Sequence, residues 1–156
     1  MQTVERYENT FLVLCVALMV GFLAALAYGA VGAGKRLPDK AGVLDPAKIY
    51  ETAPFNAPGV RETAPGEYEA VVVGQIWAFA PNEVRVPKGA EVTFKATSAD
   101  VIHGFYVEGT TVNGMLVPGH VTEIHHRFDE PGEHLIICHE YCGAGHHMMY
   151  GKVIVE

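Results

Sequence analysis

Hydrophobic positions follow two different regimes along the chain. Between Phe11 and Val31 they run without a single charge, FLVLCVALMVGFLAALAYGAV. Those 21 residues, at ~1.5 Å each, cover a hydrocarbon core of ~30 Å. The run predicts one transmembrane helix at about 10–31, within an N-terminal segment 1–34. A cleaved signal peptide competes, with Ala25-Leu26-Ala27 as its processing site, but its apolar region should be only ~7–15 residues long behind a basic start. Here Glu5 and Glu8 stand beside Arg6. A lipoprotein signal ending at Cys15 fits poorly, because Leu14 is bulky where a small residue is required.

From Glu67 onward the pattern shortens to β-rich runs broken by turn residues: 67–73, 75–80, 91–97, 103–107, 121–128, 134–138 and 152–155. Glu91 to Thr97 alternates polar and apolar as a half-buried strand does, and Pro87-Lys88-Gly89-Ala90 and Pro131-Gly132 sit where the chain must reverse. Seven such strands predict an all-β antiparallel sandwich or barrel, and a domain at 66–156 has the size of a Greek-key sandwich. Between the two regimes, residues 35–65 carry Pro38, Pro46, Pro54, Pro58 and Pro65 and no sustained period, which reads as a Pro-rich linker. Within it Asp45 can cap a short helix that has Pro46 at its first position.

Charge narrows the range of partners. With 18 acidic against 11 basic residues the net charge is −7, and no Lys/Arg stripe exists to neutralise phosphates, so no nucleic acid is expected. A positively charged protein partner suits the chain better. Lys35, Arg36 and Lys40 follow the apolar run whereas Arg6 precedes it, so counting positive charges alone would place the C-terminal domain inside the cell.

Chemistry concentrates in residues 138–149, Cys-His-Glu-Tyr-Cys-Gly-Ala-Gly-His-His-Met-Met. Cys138, Cys142, His146 and Met149 offer two thiolates, an imidazole and a thioether, the donor set of copper or zinc rather than of ions that prefer oxygen. A Cys138–Cys142 disulfide would leave the His and Met spacing unexplained. Structural zinc held by Cys138, Cys142, His146 and His103 stays open, although zinc sites seldom recruit Met. Covalent haem attachment would need Cys-x-x-Cys-His, which is absent. Copper leads on ligand softness. Cys15, in the apolar run, reads as a packing residue, and His120, His125, His126 and His134 as ordinary polar contacts.

Cys-x-Glu-x-Cys-x-x-x-His-x-x-Met, preceded about 35 residues earlier by His103, resembles the dinuclear copper (CuA) site of cytochrome c oxidase subunit II. The resemblance extends from about Glu67 to Glu156 and includes Ser98 to Phe105, Val117-Pro118-Gly119 and Pro131-Gly132-Glu133. A single anchor is similar to the short subunit II of B-type haem-copper oxidases. The resemblance implies a cupredoxin-like Greek-key β-sandwich with one N-terminal transmembrane helix. It further implies that Cys138 and Cys142 bridge two copper ions, that His103 and His146 each ligate one, that Met149 is a weak ligand, and that Glu140 contributes its backbone carbonyl. It leaves room for a magnesium ion at a subunit interface through the Glu140 side chain. His139, His147 and Met148 fall outside the set.

Gly74 to Phe79 occupies the place of the aromatic segment through which that family takes up electrons, here reduced to Trp77 and Phe79; both rings filling the core is the competing reading. The resemblance implies an electron-transfer subunit of an enzyme complex in a prokaryotic plasma membrane, its C-terminal domain on the periplasmic or outer face, contrary to the charge count. A c-type cytochrome or small copper protein would supply electrons, and haem in subunit I would receive them for oxygen reduction. The alternatives are the CuA subunit of a nitric oxide reductase and a membrane-anchored copper delivery protein. Nitrous oxide reductase, a much longer soluble chain, fits less well.

Overall fold

A computed structural model of the chain describes residues 2–32 and 39–156. Lys35, Arg36 and Pro38, all from the expected linker, lie outside the described residues. The apolar run forms α1 (Gln2–Ala27), continued by one π-helical turn, Tyr28–Gly32. The helix starts well before the expected residue 10, because Gln2 to Asn9 contain no Gly or Pro to stop the hydrogen-bond ladder from extending. Val4–Gly32 is 29 residues long, and its most apolar window of 18 residues has mean hydropathy 2.7 and is not buried at all within the chain. Such a surface requires lipid or another membrane subunit around it.

The second unit is built from β1 (Asp39–Val43), β2 (Gly59–Ala64), β3 (Glu67–Gln75), β4 (Ala78–Ala80), β5 (Glu83–Val86), β6 (Glu91–Ser98), β7 (His103–Val107), β8 (Asn113–Leu116), β9 (His120–Arg127), β10 (Gly132–Ile137) and β11 (Tyr150–Val155). One sheet runs β1-β9-β6-β3-β2 with β4 added against β3, and the other runs β5-β11-β10-β7-β8. Alternation decides which side chains lie between them. On β6, Val92, Phe94 and Ala96 are buried while Glu91, Thr93 and Lys95 face outward. The Phe94 ring lies 5.6 Å from that of Phe105 on β7, a tilted contact that ties the two sheets together, and 6.3 Å edge-on from that of Phe128, which follows β9 in its own sheet.

Three expectations are revised. Among the described residues there are eleven strands where seven were expected, because β1, β2, β5 and β8 are short, polar or contain Gly and so carry little periodic signal. The sandwich is not purely antiparallel, since β3 pairs in parallel with β6 and β5 with β11. The described part of the expected linker is not a spacer: β1 pairs with β9, β2 pairs with β3, and a 3-10 turn at Pro46–Glu51 begins where the side chain of Asp45 accepts a hydrogen bond from the Ala47 amide at 3.0 Å.

Ile49 and Phe55 from this arm are buried against Val71 and Val73 on the outer face of β3. That cover explains why Ala70-Val71-Val72-Val73 is a continuous apolar run, for β3 is buried on both faces. The arm residues are small or kinked by proline, so their apolar contacts show no regular spacing in the sequence.

Candidate metal centre

The segment with the richest chemistry forms one loop at the end of the sandwich. β10 ends at Ile137, β11 starts at Tyr150, and these two residues pair directly; the Cys138 amide also donates to the Met149 carbonyl at 3.3 Å. Two strands therefore clamp the neck of the loop, and a 3-10 turn, His146–Met148, folds its far side back. His103 arrives from the neighbouring strand β7, which is held in register by the pairs Ile136–Val107 and Ile137–Tyr106.

All six candidate donor groups meet there. The Sγ atoms of Cys138 and Cys142 lie 3.8 Å apart, nearly twice a covalent S–S bond, and both residues are free thiols. Cys138 Sγ is 4.0 Å from His103 Nδ1 and 3.3 Å from the carbonyl oxygen of Glu140. Cys142 Sγ is 3.6 Å from His146 Nδ1 and 3.7 Å from the Met149 sulfur. His103, Cys138, Cys142 and Met149 are buried, so soft donor atoms converge inside the fold, and the ligand atoms of His103, Cys138 and Cys142 all fall within 4.8 Å of one another.

Burial, and then the hydrogen bond and charge of the neighbouring Cys138, push the Cys142 thiol up to about 11. A soft cation drawing both thiols into the thiolate form would remove that penalty, so the residues present fit copper.

Asp100 supports His103. Its Oδ1 accepts from His103 Nε2 at 2.8 Å and from the Val101 amide at 2.6 Å, while its Oδ2 accepts from the Ile76 amide at 2.6 Å. Partial burial pushes this carboxyl up, but the hydrogen bonds from His103, Ile76 and Val101 outweigh it and the net shift is downward. The sequence alone assigns Asp100 no role of its own; its spacing of three residues before His103 is the available signal.

The structure separates Trp77 from Phe79. Trp77 is 44% exposed, and its Nε1 donates to the Cys142 carbonyl at 3.2 Å. Phe79 is only 2% exposed and packs edge-on against Phe105 at 5.6 Å between ring centres. Of the expected two-residue segment, Trp77 is thus the exposed ring and Phe79 fills the core, because residues two apart in a turn leading into a strand need not share a face. A Cβ at Gly145 would lie 2.4 Å from Trp77 Cδ2, so the indole can rest on the ligand loop only because that position is glycine.

His139, His147 and Met148 are exposed on the loop's rim. Of the remaining histidines, His125 contacts Thr93 and Glu123, His126 contacts Thr111, and His134 contacts the Glu108 carbonyl.

The sequence profile of the cytochrome c oxidase subunit II periplasmic domain matches residues 68–156. The chain belongs to the cytochrome c oxidase subunit II family. It is similar to a cytochrome c oxidase subunit 2 of Thermus thermophilus, 38% identical over 99% of this chain and 95% of the relative. It is also similar to a second Thermus thermophilus cytochrome c oxidase subunit 2, 43% identical over 72% of this chain and 85% of that one. Among solved structures, a chain of a haem-copper terminal oxidase dimer superposes with TM-score 0.81 at 32% identity, covering 96% of this chain and 99% of that one.

The fold is therefore the expected cupredoxin-like sandwich with one N-terminal apolar helix. A subunit II is part of an oxidase complex with subunit I, and α1 suits membrane anchoring.

Proposed function

We propose that this subunit II relays single electrons through a dinuclear copper centre held by His103, Cys138, the Glu140 carbonyl, Cys142, His146 and Met149. The observation that carries the reading is the pair of free thiols 3.8 Å apart, each with an imidazole Nδ1 within 4.0 Å. When bound, copper held by both thiolates and the two imidazoles would supply a one-electron redox centre.

The protein's own contribution is rigidity and exclusion of water. The paired neck at Ile137 and Tyr150 fixes the ends of the loop, burial keeps water off the sulfurs, and Asp100 leaves His103 Nδ1 facing them. Little of this arrangement has to reorganise when one electron arrives or leaves, which favours fast transfer.

Trp77 is the group placed to take up the electron from a c-type cytochrome or small copper protein, with its indole open on one side and bonded to the backbone of a candidate ligand on the other. Haem in subunit I is the acceptor, and the domain faces the periplasm or outer surface of a prokaryotic plasma membrane. The Glu140 side chain is exposed and available to a magnesium ion at the interface with subunit I. Burial of His103, Cys138, Cys142 and Met149 argues against copper delivery, which needs exchangeable ligands.

Electron paramagnetic resonance of the copper-loaded full chain in detergent tests the centre. Hyperfine structure from one electron shared by two coppers is expected; a four-line mononuclear spectrum overturns it.

A further inference from the structure

His103 is completely buried, so neither ring nitrogen can reach water. Its Nδ1 faces Cys138 Sγ, and its Nε2 meets Asp100 Oδ1 at 2.8 Å. A carboxylate accepts and never donates when ionised, so the ring proton belongs on Nε2 and the lone pair on Nδ1, the state a metal ligand requires.

The same carboxylate takes two further backbone amides, one on its own turn and one from a distant segment. Its Oδ1 also takes the Val101 amide, and its Oδ2 takes the amide of Ile76, the residue before Trp77. Three N–H groups therefore converge on one side chain that is only 28% exposed. A charge that acts by steering partners works from an open, uncommitted position; Asp100 is committed three times.

The turn that carries Asp100 is itself tied down. The Ala99 amide donates to the Gly74 carbonyl at 2.9 Å, and the Ser98 hydroxyl accepts from the Asp100 amide at 3.3 Å while donating to the Val101 carbonyl. A Cβ at Gly74 would lie 3.1 Å from Cδ2 of His103 and 3.0 Å from Leu116 Cδ1, so the imidazole is also walled in from the side of β3.

We propose that Asp100 is a positioning residue whose carboxylate locks the His103 ring and the Ile76-Trp77 turn into one arrangement. Because Trp77 is in turn bonded to the Cys142 carbonyl, one side chain links the surface indole, the isolated histidine and the ligand loop. The consequence for electron transfer rests on the copper reading above, but the arrangement itself exists in the metal-free chain.

The test uses full-length protein in detergent, metal-free and labelled with 15N-histidine, observed by nuclear magnetic resonance. In the unaltered chain His103 should carry its proton on Nε2 and exchange it slowly with water. Asp100→Ala should speed that exchange by about tenfold or more and populate both tautomers.

Asp100→Asn keeps an oxygen acceptor for Nε2–H but turns an N–H toward the Ile76 amide. It should therefore restore the His103 tautomer while Ile76 loses its protection and Trp77 fluorescence shifts. If the alanine variant does not fold, the unaltered chain and Asp100→Asn still decide, since a proton on Nδ1 of His103 in the unaltered chain overturns the proposal. It is equally overturned if both variants leave His103, Ile76 and Trp77 unchanged. Failure to bind two coppers would instead refute the preceding reading and leave the tautomer result standing.

Discussion

The indole nitrogen of Trp77 donates to the carbonyl oxygen of Cys142 across 3.2 Å, while the opposite side of the ring remains open to solvent. A single aromatic side chain thus spans the distance from the protein surface to the backbone of a candidate bridging ligand. Trp77→Phe should retain copper with an unchanged spectrum yet slow reduction by the external electron donor about tenfold, equivalent to ~1.4 kcal/mol in the barrier. Stopped-flow reduction of the loaded chain checks this.

Gly145→Ala makes the complementary perturbation. The added methyl would occupy space held by the indole ring, and because Trp77 is half-exposed the ring can swing out rather than break the fold. Trp fluorescence should move to the red, the indole N–H should exchange faster, and electron uptake should fall as in Trp77→Phe, with copper content unchanged.

Within the loop itself, Cys138→Ser should abolish the shared-electron spectrum, whereas His139→Ala, at an exposed neighbouring position, should leave it intact. Glu140→Gln should also leave it intact, because only the backbone carbonyl lies against Cys138 Sγ. Copper quantification with paramagnetic resonance on the three variants separates a ligand from its neighbours.

The arm between β1 and β2 should behave as core. Phe55→Ala removes a fully buried ring from the cover over Val71 and Val73 and should cost about 3–5 kcal/mol in chemical unfolding. A mere spacer would tolerate the change at almost no cost.

His126 supplies a pH dependence remote from the loop. Burial, and then the charge of nearby His134, hold its pKa below the ordinary histidine value, against the opposing pull of Asp129. Its ring also stacks edge-on with Phe128 at 4.7 Å. The fold favours the neutral ring, so this contribution is fully present above the unfolded pKa of ~6.5 and is lost as pH falls from there toward the lower folded value. Unfolding free energy of the metal-free chain should decline over that acidic window, and His126→Gln should flatten the decline.

Much of the site was legible in the sequence because Cys138, Cys142, His146 and Met149 are consecutive members of one loop, where spacing and proximity nearly coincide. The position of His103 became legible through the family resemblance, since β7 and β10 are neighbours in space only. Asp100 and Gly145 were missed for a different reason: their roles depend on what lies opposite them, an imidazole and an indole, and no local pattern encodes an opposing surface. Among the strands, β6 and β7 followed their expected limits closely because alternation or a sharp turn marks both ends. Short β5 and β8 are imposed by their partners rather than by their own four residues.

The origin of His103 on a separate strand also bears on when the site can exist during synthesis. A chain not yet folded can offer Cys138 to Met149 to a metal as a flexible peptide, but His103 joins them only after β7 has paired with β10 and the intervening loop entropy has been spent. On the proposed ligand set, full occupancy would double as a report on assembly: copper held by all of those donors would mark a sandwich that has already closed, and a subunit halted short of that point would surrender copper to a chelator sooner.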